Sequence, residues 1–223
     1  MGAIETPRFI ALTLHFRKRL LVALTNAYCT LAQLKASLAI ADSTDDAALE
    51  AAISSVSRNI DDATGRFFYS DGTTTTAAVR YYTPNHPTRL FTDDFVSISE
   101  VAEDTALARS YSTVWASTDY AYEPINNSRL SKPYTQLLAF KNYTFPVGQP
   151  QAIRVSGIFG WSAVPEVVRQ ACLIQSSRIF NRAASPFGIA GSPDLGTVRI
   201  LPYLDSDVQV MLRGVIRQNS MVL

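Results

Sequence analysis

The stretch AIRVSGIFGWSAVPEVVRQACLIQSSRIFNRAASPFG, Ala152 to Gly188, decides how the rest of the chain is read. It opens as a strand, turns at Gly157, Gly160 and Trp161, and enters a helix with Pro165 in its first turn. Proline suits that position, because the amide it lacks would have no intrahelical partner. The spacing predicts a helix running to about Ala184, ahead of the Ser185-Pro186 break. Val164, Val168, Ala171 and Ile179 fall on one side, Val167 and Ile174 extend round it, and Leu173 and Phe180 lie nearly opposite. A helix apolar on most of its surface is usually buried on most of it. This is read as a central helix. Its first side would pack on a second helix, and its far side on the strands or on a neighbouring subunit.

Immediately upstream the period is two rather than 3.6. Strands are expected over 77–82, 89–91, 95–102, 112–115, 119–123, 135–140 and 152–159, separated by prolines and by Asn126-Asn127. Asp93-Asp94 would then sit in a hairpin turn, and Ser70 to Thr76 in a polar turn. Tyrosines are dense here. Alternating strands with short connections make an antiparallel sheet or a small barrel.

Further upstream the signals are helical. Thr30 with Gln33 is a capping box, and Leu31, Leu34 and Leu38 line one face of a short helix. The Asp42-Ser43-Thr44 turn leads into a helix whose stripe is Leu49, Ala52, Ile53, Val56, Ile60 and Ala63. Glu50, Ser54, Ser57, Arg58 and Asp61 are expected outside, and Gly65 ends the helix in a left-handed conformation. Before residue 25, Ile10 to Phe16 alternates and Arg17-Lys18-Arg19 follows, too short and too charged to span a bilayer. That segment reads as a basic arm docking on a neighbour, as a tail of little role, or as a stretch upstream of a start near Val22.

Downstream, residues 185–204 are rich in glycine and proline, and a connection of that length is usually functional or held by a partner. A last helix is expected over Asp205–Arg217. Its apolar face would be Val208, Met211, Leu212, Val215 and Ile216, with Arg213 and Arg217 near its negative end. The chain closes on Met-Val-Leu. The fold class is therefore α+β: a helical bundle of about four helices with an antiparallel β module inserted between the second and third. The expected division is a basic extension (1–25), a helical core (26–70 plus 162–223) and an inserted β domain (71–161).

Composition narrows function. The 223 residues carry a net charge of +1, without the basic excess of a nucleic-acid binder. Cys29 and Cys172 make no disulfide framework and read as buried thiols. His15 and His86 are the only histidines, and His86 sits in a Pro84–Pro87 turn. Asp93-Asp94 and Asp205/Asp207 could ligate a hard cation, although a turn and a helix cap explain them as well. No nucleophile elbow, Walker A or dinucleotide-binding motif occurs. Gln175, Arg178, Asn181 and Arg182 form a polar patch on the central helix, read as solvated or inter-subunit rather than DNA-contacting. No catalytic residue, cofactor or metal is expected. The candidate partner-interface residues are Arg178, Arg182, Arg213, Ile216, Arg217, Val222 and Leu223.

Several short motifs, taken in order, resemble the head–tail connector (adaptor, head-completion) proteins of tailed phages. They are Thr30-Leu-Ala-Gln-Leu-Lys35, Asp45-Asp46-Ala-Ala-Leu49 and Ile60-Asp-Asp-Ala-Thr-Gly65-Arg66. After them come Val155-Ser-Gly157, Gly160-Trp161-Ser-Ala-Val164-Pro165, Ala171-Cys172, the Ser185-Pro186-Phe-Gly188 turn and the closing helix. The resemblance implies a non-enzymatic virion protein of the neck, made in the host cytoplasm. Such subunits form a homo-oligomeric ring, usually a dodecamer, under the portal. The ring extends the DNA channel, passes DNA without binding it specifically, contacts no membrane, and docks the stopper or tail. The segment before residue 26 and the large β insertion depart from that pattern. Two other readings stand beside it. One is a monomeric module whose aromatic-rich strands hold a carbohydrate or peptide; the other is a hydrolase using His86 with a nearby Asp or Ser.

Overall fold

The computed structural model of the chain describes residues 24–183 and 204–217. Helix α1 (Leu31–Leu38) begins on the expected capping box: the Gln33 amide donates to Thr30 Oγ1 at 3.2 Å, and the Thr30 amide to Gln33 Oε1 at 2.9 Å. Helix α2 (Asp46–Thr64) ends at Gly65, whose φ of 63° is the left-handed cap. Leu49, Ile53, Val56 and Ile60 are fully buried, each contributing about 1.5–3 kcal/mol of transfer free energy.

The polar face of α2 differs from the sequence reading. Ser57 and Asp61 lie inside, while Ala63 is exposed and Thr64 takes its place in the core. The cause is the segment before α1, which lays Tyr28 against α2. The Tyr28 amide donates to Ser57 Oγ at 3.1 Å, its hydroxyl donates to Asp61 Oδ1, and that hydroxyl accepts from the Phe68 amide at 3.0 Å. Arg58 Nε stands 3.1 Å from the other Asp61 oxygen. One Asp61 oxygen is thus hydrogen-bonded, while the other has the Arg58 charge beside it but no hydrogen bond among the described residues. Burial raises the carboxyl's pKa.

Seven strands follow α2: β1 (Ser70–Asp71), β2 (Ala78–Tyr82), β3 (Arg89–Glu103), β4 (Thr113–Trp115), β5 (Tyr120–Glu123), β6 (Tyr134–Ala139) and β7 (Ile153–Gly160). All pairings are antiparallel, in the order β1-β7-β3-β6-β5, with β2 also on β7 and β4 also on β3. The expected pair of strands around Asp93-Asp94 is instead one strand of 15 residues. Its register on β6 shifts between Phe91 and Phe95, so the two aspartates sit in a bulge rather than a hairpin turn. Gly157 is not a turn either. It lies mid-strand in β7, where a Cβ would stand 2.3 Å from the Ser97 carbonyl oxygen of β3. Gly160, with φ of 88°, passes so close to Tyr69 that a Cβ would fall 1.9 Å from its carbonyl oxygen.

Helix α3 (Glu166–Ala183) begins one residue after Pro165, whose carbonyl accepts from the Val168 and Arg169 amides at 3.0 Å each. Between Ala171 and Phe180 no side chain is fully exposed. Helix α3 contacts α2, α1 and α4. Arg178 and Arg182, on the side of Val164 and Ala171, reach the start of α4, while Leu173 and Phe180, nearly opposite, pack against the helical cluster rather than the sheet. Helix α4 (Ser206–Leu212) is shorter than expected: a 3-10 turn (Arg213–Val215) follows, and Ile216 is extended. The cause lies at the end, where the Arg217 amide donates to the Thr64 carbonyl at 2.8 Å and draws the chain out of the helical path.

Two hydrophobic clusters result. One joins α1, α2, α3 and α4 with Phe68 and Trp161; the other lies within the sheet around Phe95, Trp115, Leu137, Phe145 and Phe159. The sheet's aromatic residues largely pack on one another, as in the Trp115–Phe145 stack at 4.8 Å and the Phe95–Tyr122 edge contact at 5.2 Å. No described helix is long and apolar enough to cross a membrane.

Candidate partner interface

The arginines at the end of α3 point toward α4. Arg178 and Arg182 are one turn apart and therefore share a helix face. Arg178 donates to both oxygens of Asp207, at 2.7 and 2.6 Å, and to Asp205 at 3.0 Å. Arg182 Nη2 donates to Asp205 at 2.8 Å. Bidentate guanidinium–carboxylate geometry makes this a fixed clamp rather than a loose surface pair. The hydrogen bonds from Arg178 hold the Asp207 carboxyl down at about 2 and raise the guanidinium's own pKa. Burial pushes Asp205 up, but Arg182 and Arg178 outweigh it and leave that carboxyl below its ordinary value. Gln175, expected on the solvated patch, is buried and accepts from the Asp205 amide at 3.1 Å. Asp205 marks the start of α4 without capping it through its side chain, which is occupied by the arginines.

A second charged cluster joins the helices to the sheet. Arg66, just past the end of α2, grips both oxygens of buried Asp94 at 2.8 Å, and the Trp161 indole donates to the same carboxylate at 2.9 Å. Arg80 spans Asp71 and Asp93 while its guanidinium lies 4.4 Å from the Phe159 ring centroid. Arg217 reaches Asp93 at 3.7 Å and donates to the Thr92 carbonyl. These groups surround a cavity of about 320 Å³, in which three arginines meet three aspartates. Its charges compensate one another.

The neighbouring groove differs in balance. It has a volume of about 770 Å³ and runs between the Arg213–Arg217 segment and the β6 side of the sheet. Arg66, Lys132, Arg213 and Arg217 line it, and no carboxylate does among the described residues. Two buried atoms at its wall, Arg66 Nε and Gln136 Oε1, have no hydrogen-bond partner among the described residues. Ile216 is 41% exposed at its rim. An acidic, amide-bearing segment has the chemistry to meet such a surface.

Of the expected interface residues, Arg213, Ile216 and Arg217 therefore share this groove, while Arg178 and Arg182 belong to the α3–α4 clamp. Val222 and Leu223 lie outside the described residues. Arg66, Lys132 and Gln136 were not singled out by the sequence. The nearest signal was Arg66 directly after the Gly65 cap; nothing local links Lys132 to Arg213. His86 is half-buried in its turn, its Nδ1 accepting from the Thr88 amide at 3.2 Å, and lines neither cavity. Among the described residues no three His, Cys, Asp or Glu side chains gather as metal ligands. Exposed apolar side chains concentrate elsewhere in the sheet region: Ile125 (79%) and Leu130 (66%) between β5 and β6, Val79 and Tyr81 on β2.

No family model matches the chain, and no curated protein does. A solved structure does. The chain is similar to one in the neck of an empty GTA particle computed with C6 symmetry. Identity is 16%, the TM-score is 0.48, and the match covers 82% of this chain and 96% of that one.

Proposed function

We propose that the chain is a structural, non-enzymatic subunit of a tailed-phage head-to-tail connector, assembling into a ring under the portal and docking the stopper or tail. The observation that carries this reading is where the resembling motifs meet. The Thr30 cap, the Leu49–Ile60 stripe, Trp161, Ala171-Cys172 and the Val208–Leu212 helix are far apart in sequence, yet they surround a single hydrophobic cluster, with the whole sheet inserted between α2 and α3. The motif order thus corresponds to one folded unit. The carboxylate-free groove beside Arg213 and the exposed apolar tip at Ile125 and Leu130 supply two unlike surfaces. Unlike surfaces are what head-to-tail contacts need, and such contacts close into rings when the rotation permits.

The carbohydrate-module reading is the weaker one, because most aromatic residues of the sheet are engaged in its own core. Mass photometry and negative-stain imaging of the purified protein, alone and with portal, test the proposal. Rings, or a portal complex, are expected. The double variant Lys132→Glu/Arg213→Glu should lose assembly at an unchanged melting temperature, since both side chains are exposed. A protein that stays monomeric and binds neither portal nor stopper overturns the proposal.

A further inference from the structure

The two thiols meet inside the helical core. Cys29 Sγ lies 3.4 Å from Cys172 Sγ, although 143 positions separate them in sequence. Both residues are buried, at 4% and 0% exposure. The encounter is imposed by neighbours. Tyr28 is fastened to Ser57, Asp61 and the Phe68 amide, which fixes the segment before α1 and turns the next residue toward α3. Ser57 Oγ also lies 3.6 Å from Cys172 Sγ, but its proton goes to the Ile53 carbonyl at 2.8 Å. The two sulfurs are therefore each other's nearest thiol partners, and either can donate the S–H. That hydrogen bond, together with burial, raises the Cys29 thiol, and it lowers Cys172.

We propose that Cys29 and Cys172 are a latent cross-link site, closed by thiol–disulfide exchange with a small-molecule disulfide. A disulfide needs its sulfurs about 2.05 Å apart, so a further approach of about 1.4 Å is required. Rotation of the Cys29 side chain supplies it, with the Tyr28 anchor holding its backbone and Cys172 held within α3. In the first step the Cys29 sulfur, reached when the segment before α1 opens locally, displaces one thiolate from the reagent and forms a mixed disulfide. The Cys172 thiolate then attacks the Cys29 sulfur and expels the second thiolate. The two thiol protons leave with the two released thiols, so the protein is oxidised by two electrons and the reagent is reduced by two. The closed bond ties the segment before α1 to α3 across α1, α2 and the entire sheet. A loop of that length loses much unfolded-state entropy when closed.

The test is incubation of the reduced full-length protein with oxidised glutathione in native buffer, then alkylation in denaturant without reductant and peptide mapping. Expected are a Cys29–Cys172 peptide pair lighter by two hydrogens, no retained glutathione, and an unfolding midpoint several degrees above the reduced form. Cys172→Ser should stop at a glutathione adduct on Cys29. The proposal is overturned if both thiols stay fully alkylatable, if an adduct persists on the wild-type chain, or if the bond forms only after denaturant is added.

Discussion

At the residue scale, the Arg178 clamp sets the charge state of the two carboxylates it holds. The folded Asp207 carboxyl, at about 2, lies below an unfolded aspartate at about 3.9. Its contribution to stability is therefore present above pH of about 4 and fades as the pH falls toward 2. Asp205 is depressed as well and adds in the same direction. Arg178→Ala should lower the melting temperature by a few degrees at neutral pH, and the gap from wild type should close between about pH 5 and pH 2. Thermal unfolding over that range reads this; a gap independent of pH would show that packing alone was lost. Gly160 is the sharpest backbone constraint. Its positive φ and its approach to the Tyr69 carbonyl leave no room for a methyl group, so Gly160→Ala should cost at least about 3 kcal/mol in chemical denaturation.

At the scale of elements, most of the architecture was legible because its signals are local. The capping box opened α1 where Thr30 and Gln33 placed it, Gly65 closed α2, and alternation located most of the strands. What escaped was set by distant partners. Ser57 and Asp61 look like surface residues until Tyr28 is laid against them, and Asp93-Asp94 looks like a turn until Arg66, Arg80 and Trp161 draw both carboxylates into a bulged strand. The last helix broke early because the Arg217 amide found the end of α2. Helix α3 remains the hub, in contact with α1, α2 and α4. Leu173 is half-buried there against the helical cluster. Leu173→Asp should destabilise the fold by about 2–4 kcal/mol, by placing a charge where an apolar group packed. Wild-type circular dichroism melting would show instead that this side tolerates water.

At the scale of the whole molecule, one buried carboxylate joins the two hydrophobic clusters. Asp94 belongs to the sheet, while its partners Arg66 and Trp161 belong to the helical side. Asp94→Ala would leave both without an acceptor. Removing one member of a buried pair costs about 3–5 kcal/mol, and the lower end applies here because Arg66 borders an open groove. Hydrogen exchange should then show β3 and the Phe67–Tyr69 segment losing protection ahead of the α2–α3 core. Uniform loss across both clusters would mean that the carboxylate does not couple them.

The sequence by itself determined most of the element types, their order and the insertion of the strands between α2 and α3, since caps, periodicity and proline breaks act over a few residues. Only the tertiary structure decided which polar groups became core, where the carboxylate-free groove opened, and that two thiols 143 positions apart would touch. The physical reason is range. A helix cap is complete within one turn, whereas the burial of Asp61, the pairing of Asp94 and the groove between Lys132 and Arg213 exist only once separate segments have packed together.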